Sequence, residues 1–529
     1  MQAWRADLGA AAVLEGPAAQ QRYGACTTGV ERAIPAALRP RSVDDIIAII
    51  GVARQYAVPL YPISTGHNWG YGSAAPVIDG CVVLDLSGLD RIVEMEAELG
   101  LVTVEPGVTQ RALHQFLEQH HLPFLVPVTG GGPNCSLLGN ALERGYGITP
   151  HADHTAAVTA LEAVLPNGRI YRSVLSELGG AAVDRAFKWG VGPYLDGLFA
   201  QSNFAVVTRM TLALARRPER IEAFLFGVER ESGLAAVVPP VQRVLRELGG
   251  VAGGINLMNS RRMLAMTAPY PHATVGSDGI LSPQTVAELA RQFRVTAWTG
   301  FGALYGTAEV VRAARRGVRR VLRPVVGRLT FITPEGAARL HRALRHVPRL
   351  RHGPLARRAQ TLDRAMQLVA GTPSEVALPL AYWQSTMPES GAELDPARDG
   401  CGLIWYPPLV PMTAGHVARY VAMVDEVCAA HAIEPLITLT SLSERCFDSS
   451  VPLLFDRRDP IAAARARSCY HALLERGRCE GFLPYRLSAH EMGWLTAAAA
   501  PCWELAAAIK EAVDPAGIIA PGRYIPPRA

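Results

Sequence analysis

Ser64-Thr65-Gly66-His67-Asn68-Trp69-Gly70-Tyr71-Gly72-Ser73 is the stretch whose reading decides the fold. Glycine or a small polar residue fills most of its positions, and it follows a short run, Pro59 to Ile63, that reads as a strand. Successive backbone N–H groups in such a loop make a concavity for an anion, and its glycines let a ligand come close. Pyrophosphate suits a nest of this kind. On the residues alone the loop is equally a turn, and the GxGxxG that would mark a Rossmann site is absent.

Upstream, Ser42 to Tyr56 carries a serine cap, aspartates in its first turn and apolar residues at helical spacing, so it predicts a helix. Downstream, Val82 to Leu86, Leu101 to Val104, Ala157 to Val164 and Phe204 to Leu214 read as strands, and Thr109 to His120 reads as a capped helix. To about Pro218 the chain is therefore a mixed domain with glycine-rich connections. Beyond it the units lengthen. Strands Ala223 to Val228, Gly254 to Met258, Val295 to Tyr305 and Val326 to Ile332 alternate with helices Val237 to Leu248, Pro283 to Phe293, Ala308 to Val321 and Pro334 to Leu344. This predicts a second, α/β domain over 219–477. Residues 478–529 resume the glycine and proline punctuation of the first lobe and are assigned to it with 1–218.

The 529 residues are about three times a typical ~150-residue domain, which agrees with more than one lobe. With 49% hydrophobic and 19% charged residues the composition excludes extended disorder, collagen and coiled coil. A net charge of +5 over this length gives no argument for nucleic acid. Nine scattered cysteines without a CxxC pair read as reduced thiols. The N-terminus has no signal-peptide core and no apolar run of about 20 residues occurs, so the expectation is a cytoplasmic protein without a membrane span. His151, Asp153 and His154 lack a third ligand at suitable spacing, and no metal is expected. The arginine-rich stretches Arg312 to Arg328 and Arg342 to Arg358 read as solvated helix faces, with docking of an anionic partner as the functional alternative.

The loop with its flanks, Pro62 to Gly72 and Ala74-Ala75-Pro76, resembles the pyrophosphate loop of the vanillyl-alcohol oxidase and p-cresol methylhydroxylase flavoproteins. Leu138 to Pro150, Gly192 to Asn203 and Asp514 to Arg523 resemble the same family in the same order, so the likeness runs from about Pro40 to Tyr524. It implies an α+β fold: a two-lobed FAD-binding domain formed by both chain ends, with an inserted α/β cap domain. It implies FAD contacts from Pro62, Ser64, Thr65, Gly66, His67, Asn68, Gly72 and Ser73, with the pyrophosphate on Ser64 to Asn68. Gly139, Asn140, Glu143, Gly145, Tyr146 and Ile148 would lie toward the flavin end, with a further contact from Arg523.

Tyr71, Tyr485 and Arg486 fall on the family positions whose two hydroxyls and one guanidinium hold the oxygen of a phenol. A phenol titrates near pH ~10, and such a trio favours its anion. The phenolate pushes electron density to the para carbon, so hydride can leave the benzylic carbon and a p-quinone methide results. The quinone methide then adds water, loses a proton to an alkene, or loses carbon dioxide. The same resemblance implies O2 or an electron-accepting protein as oxidant and a homodimer.

Two departures qualify it. Where vanillyl-alcohol oxidase has the histidine that holds its flavin covalently, this chain has Gly400-Cys401-Gly402-Leu403, so non-covalent FAD is expected, with Tyr406 or Cys401 as alternative tethers. The aspartate that some members place before their glycine run is replaced by Thr129-Gly130-Gly131-Gly132, which leaves Asp448 as the candidate base. Asp448 is otherwise a solvated loop residue. Competing functions are an oxidase of a sugar or other alcohol on the same FAD lobe, and a non-enzymatic flavoprotein scaffold.

Overall fold

A computed structural model describes residues 1–180, 182–276, 279–347, 353–389, 392–496 and 500–525. The chain packs as two compact units, one of residues 1–146, 153–216 and 487–529, the other of 147–152 and 217–486. The boundary expected at Gly477 falls inside a helix, and the second unit runs on to Arg486.

Among the described residues the first unit holds two sheets. Strands β1 (Val13–Glu15), β2 (Ala36–Leu38), β3 (Leu60–Ile63) and β4 (Val82–Asp85) form one in the order β1-β2-β4-β3, parallel except at β1. Helix α1 (Val43–Tyr56) lies between β2 and β3 in sequence. Ser42 caps it by accepting from the Asp45 N–H while the Asp45 carboxylate accepts from the Ser42 N–H, a reciprocal pair in which the cap is worth about 1 kcal/mol. Ile46, Ile49, Ile50 and Ala53 on its inner face are fully buried with Leu60, Val83 and Leu84. The second sheet is antiparallel, with β5 (Ile92–Glu96), β6 (Leu101–Val104), β7 (Val158–Val164), β8 (Ile170–Arg172) and β9 (Val206–Ala213) in the order β5-β6-β9-β7-β8. Helices α2 (Gln110–Gln119) and α3 (Leu137–Leu142) start on Thr109 and Ser136, whose hydroxyls accept from the Ala112 and Gly139 N–H groups.

The last residues rejoin this unit through backbone pairing. Leu60 N–H donates to the Ile518 carbonyl and Ala520 N–H to the Leu60 carbonyl, both at 2.7 Å, beside β3. Lys510 fastens the segment. Its ammonium reaches the Asp514 carboxylate at 2.6 Å and the carbonyls of Asn203 and Ile519, so a buried charge is paired and saturated with acceptors.

The second unit is built on one antiparallel sheet. Strands β10 (Arg220–Val228), β11 (Asn256–Asn259), β12 (Trp298–Gly306), β13 (Arg328–Ile332), β14 (Cys401–Tyr406), β15 (Leu409–Pro411), β16 (Thr438–Ser441) and β17 (Cys446–Asp456) run in the order β13-β10-β12-β11-β16-β17-β14, with β15 also on β17. Helices α4 (Leu234–Glu247), α5 (Ser260–Thr267), α6 (Pro283–Phe293), α7 (Ala308–Leu322), α8 (Pro334–His346), α9 (Ala414–Ala430) and α10 (Pro460–Glu480) complete what is used below. Alternation of side chains divides the sheet into two faces. Phe226, Gly300, Leu257, Leu439 and Ser449 share one, toward α9, whose Tyr420 hydroxyl meets the Ser449 hydroxyl at 2.7 Å. Leu225, Phe301, Asn256, Thr440, Asp448 and Leu409 share the other.

In the Arg312 to Arg328 stretch the arginines are not all free at a surface. Arg315 bonds Glu222 at 2.9 Å, and Arg315 and Arg319 lie over the Phe331 ring, while Val311, Ala314 and Val318 are buried. The Arg342 to Arg358 stretch lies partly outside the described residues.

Candidate active site

In the first unit the glycine loop leaves β3 after Ile63 and turns back on itself. The Tyr71 and Ser73 N–H groups both donate to the Asn68 carbonyl, at 3.1 and 3.0 Å, and Gly70 N–H donates to Thr27. Gly66 and Gly72 take φ of +72° and +121°, conformations closed to most L residues. His67 stacks on Trp69 with centroids 4.9 Å apart. A Cβ on Gly139 would sit 2.3 Å from the Ser64 hydroxyl, so the α3 backbone and the loop meet where only glycine fits. Among the described residues the Thr65 and Gly66 N–H groups have no protein acceptor, and the buried Ser73 hydroxyl has no partner. Unsatisfied donors in a glycine-lined loop beside a helix start are what a pyrophosphate requires. The residues fit FAD.

After α3, Asn140 bonds His154 and stands where a side chain on Gly145 would have to go. Glu143 receives Arg523 and, at 3.0 Å, the Tyr524 hydroxyl, and Arg523 also donates to the Tyr61 hydroxyl. Burial is the largest single influence on the Arg523 guanidinium and would lower it, but Glu143 together with Tyr61 and Tyr524 outweighs burial and holds the charge firmly. Tyr61 is pushed up by burial and stays a neutral phenol. This cluster joins residues 380 positions apart, and neither Tyr61 nor Tyr524 carries any local signal that finds it. Tyr146 pairs with Asp153, whereas Ile148 belongs to the second unit, where its carbonyl accepts from Tyr305 at 3.1 Å.

Tyr71 is buried, and its carbonyl accepts from Ala489 N–H at 2.8 Å. The other three residues expected to act on substrate lie in the second unit. Tyr485 N–H donates to the Pro407 carbonyl and Leu409 N–H to the Leu483 carbonyl, so residues 483–485 run alongside the start of β15. Arg486, next in the chain, is 8% exposed.

Asp448 is not a solvated loop residue. It sits within β17, opposite Thr440 on β16 and Leu409 on β15, fully buried, and neither carboxyl oxygen has a hydrogen-bond partner. Burial raises its acid well above the usual carboxylate range, which favours the form that carries an O–H. The role of base expected from sequence would require this carboxyl to ionise against that burial. Asp448→Asn is expected to leave flavin reduction by a phenol nearly intact and to alter the product ratio, read by rapid mixing and chromatography. Unchanged turnover and products would remove Asp448 from the chemistry.

Gly402 pairs with Phe455 within the sheet, and a Cβ there would meet the Phe455 carbonyl at 2.4 Å and its ring at 2.5 Å. A histidine does not fit without moving β17. Cys401 is buried and its thiol is pushed up to about 12, chiefly by burial, which removes the thiolate needed for a nucleophile. Tyr406 points its buried hydroxyl at Gly477 in α10, where only a glycine leaves room for it. Burial raises that phenol too.

These features define a class, an enzyme that binds FAD. The family model described as an FAD binding domain matches residues 34–173. The chain is 37% identical to the 1'-carboxy-chondrochloren decarboxylase of Chondromyces crocatus over 99% of this chain and 96% of that one. It is 28% identical to the flavoprotein subunit of the hydroxylating 4-cresol dehydrogenase of Pseudomonas putida, covering 92% and 87%. The crystal structure of p-cresol methylhydroxylase with substrate bound superposes with a TM-score of 0.88 at 26% identity, over 99% and 96% of the two chains. The chain belongs to the vanillyl-alcohol oxidase and p-cresol methylhydroxylase family of FAD-dependent oxidoreductases, with that family's FAD-binding domain and cap domain. Among the described residues no helix is long and apolar enough to cross a membrane.

Proposed function

We propose that the protein oxidises a para-substituted phenol at its benzylic carbon, through a p-quinone methide, and passes the electrons to O2 or an acceptor protein. The observation that carries this reading is the buried Arg486 following Tyr485 beside β15, a guanidinium withdrawn from water. A guanidinium in low dielectric stabilises an oxyanion far more than one in water. Tyr71, Tyr485 and Arg486 would hold the phenol oxygen as its anion. FAD, when bound, supplies the two-electron, hydride-accepting chemistry. The loop from Ser64 to Ser73 would hold its pyrophosphate through backbone N–H groups, with Gly139 allowing the approach, and the Glu143–Arg523 pair would fix residues 60–61 against the C-terminal segment. Asp448, as a neutral acid, would donate to the intermediate. Anaerobic mixing with 4-alkylphenols tests the reading: the oxidised flavin band should bleach, and no bleaching by any of them would refute it.

The same reading makes the FAD non-covalent, because Gly402 leaves no space for a linking histidine and the Cys401 and Tyr406 side chains are buried in their protonated forms. Heat or acid should release all of the flavin into the supernatant. Fluorescence that stays with the denatured polypeptide on a gel would show a tether.

A further inference from the structure

Arg262 sits in the first turn of α5, immediately after β11, and is 9% exposed. Its Nε donates to the Thr438 hydroxyl at 3.1 Å, while its Nη1 is buried without a hydrogen-bond partner. The residues that neighbour it in sequence are differently placed: Arg261 is paired with Glu434. No carboxylate contributes to the electrostatics of Arg262, and burial pushes its guanidinium down to about 10. A buried cation with an open donor is costly, by several kcal/mol in general, unless something anionic meets it.

Its surroundings are built for such a group. Thr438 lies on β16 two residues from Thr440, so both hydroxyls project from the sheet face that carries Asp448 and Asn256. On that face the Asp448 carboxyl and the Asn256 Oδ1 are also buried without partners. Asp448 is shifted by burial alone, so Arg262 and Asp448 do not neutralise one another. The face thus holds one guanidinium with an open donor and one enclosed carboxyl without partners, with hydroxyls between them. From the 483–485 segment across β15 and β17 to β16 is three strand spacings, roughly 14 Å. A phenol with a short side chain, reached by long side chains at both ends, spans that gap.

We propose that Arg262 is a specificity residue that binds a carboxylate on the substrate's para side chain, remote from the phenol oxygen. The proposal rests on the phenol reading above and narrows it to anionic, carboxylate-bearing phenols. The guanidinium would take the anion through Nη1, with Thr438 fixing its plane through Nε.

The test compares 3-(4-hydroxyphenyl)propanoate and 4-(4-hydroxyphenyl)butanoate with uncharged 4-propylphenol, in anaerobic flavin reduction by the holoenzyme. At least one acid should half-saturate at lower concentration than 4-propylphenol, and Arg262→Met should erode that ratio by roughly 10- to 100-fold, the worth of a hydrogen bond to a charged group. Arg262→Lys should keep part of it. Flavin content per polypeptide checks that the variants fold. If 4-propylphenol bleaches the flavin but the acids show no advantage, or the ratio survives in Arg262→Met, the inference falls and the phenol reading stands. If none of the three bleaches it, both fall.

Discussion

Arg486→Leu is expected to lower the rate of flavin reduction by a 4-alkylphenol by about 10² to 10³ while FAD stays bound. The residue is buried, and a phenolate formed beside it would lose its charged partner in a setting that water cannot repair. Removing one member of a buried charge pair costs roughly 3–5 kcal/mol, and each ~1.4 kcal/mol in the barrier is a factor of ten. The loss should appear in the limiting rate as well as in half-saturation, because the phenolate that the guanidinium favours is the form whose electron density expels the hydride. Reduction within a few-fold of wild type, with normal flavin absorbance, would mean that the phenol oxygen is not held there. Arg486→Lys should recover little, since a point charge does not reproduce the planar fork.

What could be read in the sequence was what local chemistry dictates. Ser42 with Asp45 three residues on placed the start of the 43–56 helix to the residue, and the β-branched-rich run 101–104 is the strand itself. The alternation from 220 to 346 was legible because its helices have one apolar face and a capping hydroxyl each at Thr307 and Thr333. Beyond 353 the sequence carries weaker local markers. Helix 460–480 is rich in alanine and arginine with apolar residues on several sides, and strands 401–406 and 446–456 are recognisable only through their pairing with each other.

The site divides in the same way. The loop from Ser64 to Ser73 announces itself by composition, since glycines at left-handed φ are a local requirement. Asp448 could be named but not understood, because the upward shift of its acid follows from burial between Thr440 and Leu409, residues brought to it by β16 and β15. Arg262 passed unnoticed beside Arg261. One has a carboxylate partner 173 residues away and the other has an open donor, a difference that exists only in three dimensions. Tyr61, Glu143 and Arg523 meet for the same reason, and only Glu143 and Arg523 could be picked out beforehand, through the family resemblance.

Arg523→Leu is expected to cost about 3–5 kcal/mol of stability and much of the bound FAD. The guanidinium is largely buried, with Glu143 on one side and the neutral Tyr61 hydroxyl on the other, and side-chain exposures are 13% and 15% for the two charged partners. Leucine fills the space but deprives the Glu143 carboxylate of its guanidinium partner. The penalty is therefore the unpaired charge and not the pair itself, which predicts a specific reversal. Glu143→Gln on top of Arg523→Leu removes that charge while keeping an acceptor for Tyr524, and should restore a substantial part of the stability lost. Denaturant unfolding of the four proteins, with FAD in excess, measures the cycle. Costs that simply add would mean the two side chains act separately. The flavin should not return with the stability, since neither residue of the double variant replaces the guanidinium, and recovered FAD content would show that Arg523 serves only to hold the C-terminal segment against β3.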